Sequence, residues 1–126
     1  MSRGNLTELQ LRVMKALWRV GEGTLGDIST ALSGEGKALA PTTVATLLQR
    51  LSKQGWVKHR RDGRQFVYRA SVGERETARG ALRGVLAAFF GGKVSALTAQ
   101  LLESEPLAPD ELEALRRLLR EKGGES

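Results

Sequence analysis

The sequence predicts a mainly α-helical chain, in which three helices and a β-hairpin are followed by a helical region. Apolar residues recur at helical spacing through most of the chain, and between residues 56 and 70 they alternate instead, on both sides of Asp62-Gly63. A length of 126 residues fits one or two small domains. We therefore expect residues 1–70 to form one domain and residues 71–126 a second, helical one.

The residue inventory argues against an enzyme. The chain has no cysteine and one histidine, His59, which excludes disulfides and thiolate metal sites and leaves little for a histidine-based centre. Gly21-Glu22-Gly23 is interpreted as a turn between helices and not as a phosphate-binding loop. We expect no catalytic residue, no metal and no cofactor. The N-terminus has no signal-peptide core and no apolar run reaches about 18 residues, so we expect a cytoplasmic protein without a membrane partner.

Positive charge is concentrated in the first half of the chain. The formal net charge is +6, but residues 1–70 carry +7 and residues 71–126 carry −1. Between residues 37 and 69, eight basic residues accompany Asp62 alone. Such a one-signed stretch is typical of nucleic-acid binding, although membranes and acidic proteins also attract basic surfaces.

Two capping boxes predict the starts of the first two helices. Thr7 with Gln10 opens the first, and Thr24 with Asp27 opens the second. Gly21 ends the apolar pattern of the first helix, which consists of Leu9, Val13, Ala16, Leu17 and Val20. Trp18 is interpreted as a core residue and not as a ligand platform.

The third helix carries the candidate base-reading residues. Pro41 suits its first turn, and Gly55 follows its predicted end at Gln54. One face is apolar and should be buried: Val44, Leu47, Leu48 and Leu51. The opposite face and its shoulder hold Thr42, Thr43, Thr46, Gln49, Arg50 and Lys53. Short hydroxyls followed by longer polar groups suit entry into a DNA major groove. A solvated helix face is the alternative, but three threonines are a poor choice for one.

Residues 56–70 predict a hairpin with Asp62-Gly63 as a two-residue type I′ turn. This register places Arg61 opposite Arg64 and His59 opposite Phe66. The face with Val57, His59, Phe66 and Tyr68 is assigned to the core, and the other face holds Lys58, Arg60, Gln65, Val67 and Arg69. We interpret His59 as a packed partner of Phe66 and not as a ligand. Like charges at the tip destabilise a hairpin unless a phosphate lies nearby.

The predicted order is that of a winged helix-turn-helix domain, in which two helices are followed by a recognition helix and a basic hairpin. Many winged domains bind proteins instead of DNA, so the fold alone leaves the function open.

The second half predicts three short helices, the first introduced by a capping box of Ser71 and Glu74. About fifty residues give these helices little core of their own. A second copy of the chain is the expected cover, and a dimer would also read a palindromic site. The candidate dimerisation residues are Leu82, Val85, Leu86, Phe89, Leu97, Leu101, Leu112, Leu115 and Leu119.

Taken together, these segments resemble the penicillinase repressor family, the BlaI/MecI type of bacterial transcription regulator. The resemblance spans Leu6 to Leu119 and is carried by Leu6-Thr7 through Leu17-Trp18, the run from Thr42 to Leu51, Phe66-Val67-Tyr68 in the wing, and the segment from Asp110 to Leu119.

The resemblance implies a homodimer that represses transcription from inverted-repeat operators, often at β-lactamase genes linked to antibiotic resistance. Carried over by position, it implies base contacts from Thr42, Thr43, Thr46 and Arg50. It also implies phosphate contacts from Lys53, Arg60, Arg61 and Arg64.

Two departures concern the inducing signal. Repressors of the resistance systems are inactivated by cleavage at an Asn-Phe pair, for which this chain has Gln100-Leu101. This departure argues against induction by the same cleavage and leaves the inducer open, either a regulatory protease or another signal. The absence of cysteine excludes the thiolate copper sensing of related repressors. The competing interpretation is a winged-helix adaptor whose basic face binds an acidic protein.

Overall fold

The computed structural model describes residues 3–123 of the chain, so residues 124–126 of the predicted second domain lie outside it. The elements follow in the order α1 (Glu8–Val20), β1 (Glu22–Gly23), α2 (Leu25–Ser33), α3 (Pro41–Lys53), β2 (Val57–Asp62), β3 (Gln65–Ala70), α4 (Glu74–Phe89), α5 (Val94–Ser104) and α6 (Pro109–Gly123). The predicted class, mainly α with a β-hairpin wing, is confirmed. Packing divides the chain into two units, Met1–Ala81 and Leu82–Ser126, within α4.

Both predicted capping boxes are present. The Thr7 hydroxyl accepts the Gln10 N–H at 3.1 Å, and the Gln10 side chain accepts the Thr7 N–H at 3.0 Å. Thr24 and Asp27 exchange the same two bonds at 3.2 and 3.0 Å. Gly21 ends α1 with φ 84°, a conformation in which glycine has no steric penalty. These caps fix the ends of α1 and α2 from local sequence alone.

The core of the N-terminal unit lies between α1, α2 and α3. Its fully buried side chains include Val13, Met14, Leu17, Ile28, Leu32, Val44, Leu48 and Leu51. Leu9 and Val20, included in the predicted stripe of α1, are each 41% exposed because they lie at its two ends. Trp18 packs against this core, and its indole N–H donates to the carbonyl of Val72 at 2.9 Å. Its interpretation as a core residue is confirmed.

The sheet has three antiparallel strands in the order β1-β3-β2. Glu22 pairs with Arg69 and Gly23 pairs with Tyr68. The expectation of a simple turn at Gly21-Glu22-Gly23 is therefore wrong for its last two residues. A two-residue strand is too short to show an alternating pattern in the sequence. It forms here by pairing with β3, which lies far along the chain.

The predicted hairpin register is wrong, because the two-residue loop begins one residue later than predicted. Asp62 pairs with Gln65, Arg61 with Phe66 and His59 with Tyr68. The loop is therefore Gly63-Arg64. Gly63 has φ 65°, and Arg64 has a negative φ, like every non-glycine residue in residues 3–123. A positive φ at the first loop position alone fits a type II′ turn, in which glycine takes that position. Arg61 and Arg64 are thus not cross-strand partners.

The two faces of the hairpin keep their predicted composition, but their burial differs from the prediction. Val57 is buried and Tyr68 packs against the core, whereas His59 and Phe66 are exposed. Val67, which was assigned to the outer face, is buried at 8% exposure. Among the described residues, His59 and Phe66 in the distal half of the hairpin pack against each other and not against the helical core.

Helices α4, α5 and α6 contain no buried residue. The predicted Ser71-Glu74 cap is wrong: the Ser71 hydroxyl has no hydrogen-bond partner among the described residues, and the Thr77 N–H bonds to the carbonyl of Gly73 at 3.1 Å. The first turn therefore starts two residues later than Ser71 would place it. No single described helix is long and apolar enough to cross a membrane; α4 and α5 meet those criteria only together, as a pair bent by 90°.

Candidate nucleic-acid interface

Helix α3 presents a polar face opposite its buried one. Val44, Leu47, Leu48 and Leu51 anchor it in the core. Thr42, Thr46, Gln49, Arg50 and Lys53 are exposed, and Thr43 is half-buried at the edge. The structure therefore brings all four predicted base-reading residues onto one accessible surface of one rigid helix.

The hydroxyl of Thr46 is oriented by its own helix. It donates to the backbone carbonyl of Thr42 at 3.0 Å, a common arrangement for threonine in helices. Because its hydrogen is used in this bond, the hydroxyl offers an external ligand only acceptor lone pairs. The methyl group completes the outward surface, and a thymine methyl is one of the groups it could contact.

Arg50 and Lys53 lie in the last turn of α3, where cations interact favourably with the helix dipole. No ion pair within residues 3–123 holds either side chain. The end of the helix is itself fixed, because the Gln10 side chain donates to that of Gln54 at 3.2 Å. Both cations are therefore exposed on a fixed helix end, as expected of phosphate or base contacts.

Arg61 and Arg64 lie at the hairpin tip and are exposed. The Arg61 side chain donates to the carbonyl of Gly63 at 3.3 Å, and its guanidinium lies 5.5 Å from the centre of the Phe66 ring. Phe66 in turn contacts His59 edge to face, with ring centres 4.9 Å apart. This aromatic support holds Arg61 at the tip. His59 packs against Phe66 as predicted, but its cross-strand partner is Tyr68.

The outer face of the sheet is basic, as its predicted composition indicates, and it also carries Glu22. Lys58 lies directly opposite Arg69, and Arg60 opposite Val67. The Arg60 guanidinium donates two hydrogen bonds to one carboxylate oxygen of Glu22, through Nε at 3.0 Å and through Nη2. Since β3 lies between β1 and β2, this ion pair crosses over β3, which accounts for the burial of Val67.

Lys58, Arg69 and Glu22 are therefore parts of the basic surface that we did not predict as site residues. Lys58 and Arg69 were assigned to the correct face, but only the correct register shows them as a like-charge pair. The role of Glu22 had no sequence signal, because its partner Arg60 lies 38 residues away.

A cleft joins this outer face to α3. It has a volume of about 570 Å³ and is lined by Glu22, Ser52, Val57, Lys58, His59, Arg60, Val67 and Arg69. Ser52 belongs to α3, and its buried hydroxyl has no hydrogen-bond partner among the described residues. The cleft thus lies beside the last turns of α3, and three cations line it: Lys58, Arg60 and Arg69.

The predicted dimerisation residues lie on α4, α5 and α6. Phe89 is 78% exposed and Leu119 71%, and Leu82, Val85, Leu101 and Leu112 are exposed as well. Leu86, Leu97 and Leu115 are half-buried.

The chain is similar to known repressors over nearly its whole length. The family model described as "Penicillinase repressor" matches residues 6–121. The penicillinase repressor of Bacillus licheniformis is 28% identical over 92% of this chain and 90% of its own length. The transcriptional regulator BlaI of Mycobacterium tuberculosis is 37% identical over 92% of this chain and 83% of its own.

Solved structures agree with this. The DNA-binding domain of the repressor BlaI is 31% identical and superposes with a TM-score of 0.51, covering 59% of this chain and 90% of that domain. A MarR family protein from Bacillus stearothermophilus covers 97% of this chain and 76% of its own, with a TM-score of 0.53 and 21% identity, and shows the winged-helix fold alone. With a family match over residues 6–121, this chain belongs to the penicillinase repressor family, which consists of transcriptional repressors and not of enzymes.

Proposed function

We propose that the protein is a homodimeric repressor that occupies inverted-repeat operators in the cytoplasm. The observation that carries the proposal is the exposed face of α3, where threonines and Arg50 lie on a helix fixed in the core. A helix of this kind fits the major groove, whose base edges carry the sequence-specific hydrogen-bonding pattern. A solved structure shows BlaI of Bacillus licheniformis as a monomer in complex with the blaP half-operator, which supports the same role here.

The proposal divides the contacts into two classes. Thr42, Thr43, Thr46 and Arg50 read bases, and Lys53, Arg60, Arg61 and Arg64 bind phosphates. Phosphate contacts fix the position of a protein on the duplex, whereas base contacts select the sequence. Arg60 differs from the other phosphate ligands because it must first leave Glu22.

The exposed leucines and phenylalanine of α4 to α6 support the dimer. A contiguous apolar surface on a monomer marks a contact region, and helices without a buried residue gain their stability elsewhere. A twofold dimer would also present two copies of α3 to two half-sites, one or more helical turns apart.

Selection of genomic fragments by the purified full-length protein at physiological salt tests this function. We expect enrichment of an inverted repeat with two equivalent half-sites. Enrichment that depends only on fragment length, and that disappears with a modest rise in salt, would contradict the proposal. The adaptor with an acidic protein partner would then be the better interpretation.

A further inference from the structure

Glu22 places a carboxylate within the most basic surface of the N-terminal unit. It lies on β1, next to Arg69 on β3, and it accepts both hydrogen bonds from Arg60 on β2. Lys58 completes the group from the other side of Arg69. Glu22 offsets only one of the three positive charges of Lys58, Arg60 and Arg69, so the outer face keeps a net positive charge.

The Glu22–Arg60 ion pair opens at little cost. The two side chains are 48% and 60% exposed, and exposed ion pairs contribute little to folding stability because water and salt screen them. The Glu22–Arg60 pair therefore affects the charge of the outer face more than the stability of the sheet.

The pair lies in the cleft beside the last turns of α3. Ser52 lines the same cleft from the half-buried flank of α3, one helical turn beyond the exposed Gln49. When a helix enters the major groove, the phosphates bordering the groove pass along its flanks. A cleft with Lys58, Arg60 and Arg69 beside that helix has the composition of a phosphate site.

We propose that this cleft binds one backbone phosphate of DNA, and that Glu22 occupies the place of that phosphate on Arg60 in the DNA-free protein. This inference depends on the proposed function. On binding, Arg60 exchanges the carboxylate for the phosphate, and Glu22 then faces the DNA strand. Glu22 therefore lowers the affinity for every sequence and reduces the number of counterions released.

The test is the salt dependence of DNA affinity for the wild type and for Glu22→Gln. The glutamine removes the charge and keeps an acceptor for Arg60. We expect about two- to fivefold tighter binding to operator and unrelated duplexes alike, and a slope of log K against log salt that is steeper by about 0.9. The matched control is Glu35→Gln, whose carboxylate pairs with Arg19 outside the cleft and is similarly exposed. It should leave the slope unchanged.

A double-mutant cycle separates competition for Arg60 from a general loss of negative charge. In an Arg60→Gln background, Glu22→Gln should change the affinity much less than in the wild type. An unchanged or flatter slope for Glu22→Gln, or an equal effect in both backgrounds, overturns the inference. Thermal unfolding of each variant confirms that all are compared in the folded state.

Two further measurements distinguish a DNA phosphate from a free phosphate ion and separate this inference from the proposed function. Inorganic phosphate, added to the DNA-free protein at constant ionic strength, should produce no saturable shift of the Val67 amide; saturation would assign the cleft to a small free anion and overturn the inference. If the wild type binds all duplexes alike, the proposed function fails, whereas the effect of Glu22→Gln on the slope still decides the role of Glu22.

Discussion

Lys58 on β2 and Arg69 on β3 lie directly opposite each other, with both side chains exposed on the outer face of the sheet. Like charges in this position destabilise an antiparallel pair. The free protein therefore carries a small electrostatic cost at the place where, in our proposal, DNA supplies a compensating negative charge.

Replacing Lys58 by Gln should change stability and binding in opposite directions. We expect the free energy of unfolding to rise by about 0.2–1 kcal/mol, because the cross-strand repulsion is removed. DNA affinity should fall, with a salt slope flatter by about 0.9 because one phosphate contact is lost. Urea denaturation and fluorescence anisotropy measure the two quantities.

Arg64→Gln provides the control for that variant, because Arg64 lies in the hairpin loop and has no partner in the strand ladder. It should weaken DNA binding and leave the free energy of unfolding within about 0.5 kcal/mol of the wild type. A loss of stability in Lys58→Gln would show that Lys58 supports the sheet, contrary to this account.

The helix caps give a prediction about stability. Thr7→Ala should lower the free energy of unfolding by about 1 kcal/mol, because it removes the acceptor of the Gln10 N–H. Ser71→Ala should cost much less, since the Ser71 hydroxyl is buried without a partner among the described residues. Equal losses for the two variants, measured by denaturant unfolding, would mean that Ser71 caps α4 after all.

Two substitutions of Thr46 separate its methyl group from its hydroxyl. The hydroxyl hydrogen is bonded to the carbonyl of Thr42, so an approaching base meets the methyl and an acceptor oxygen. We expect the methyl to contact a thymine, so that Thr46→Val keeps the ranking of DNA sites and Thr46→Ala loses about 1 kcal/mol of discrimination at one base pair. Binding to a panel of single-base operator variants measures this. Loss of the ranking in both variants would assign the contact to the oxygen.

A charge on the apolar face of α6 tests the dimer. Leu119 is 71% exposed, so Leu119→Asp should leave the N-terminal unit folded but convert dimer to monomer in sedimentation equilibrium. Arg117→Asp, on the opposite side of the same helix, is the control and should keep the wild-type mass. A dimer that persists unchanged in Leu119→Asp would exclude this face of α6 from the contact.

The elements of the chain could be predicted where their signals are local. The caps at Thr7 and Thr24 and the apolar face of α3 each depend on residues within one or two turns. The hairpin faces were also correct despite the wrong register, because moving the loop by one residue changes each cross-strand partner by two and so preserves the side-chain alternation.

What could not be predicted depends on contacts between distant segments. Pairing of Glu22 with Arg69 requires the folded sheet, and so does the bond from Glu22 to Arg60. The exposure of Phe66 and the burial of Val67 likewise depend on packing between distant segments, which alternation does not encode.

The most direct test of the central claim compares wild type and Arg50→Ala on the enriched inverted repeat and on a scrambled duplex of equal length, at physiological salt. We expect the wild type to prefer the repeat by about 10³-fold or more. Arg50→Ala should lose about 1–3 kcal/mol on the repeat if it removes a bidentate base contact, and much less on the scrambled duplex. Equal losses on both duplexes would contradict base recognition by α3 and leave Arg50 as one phosphate contact among several.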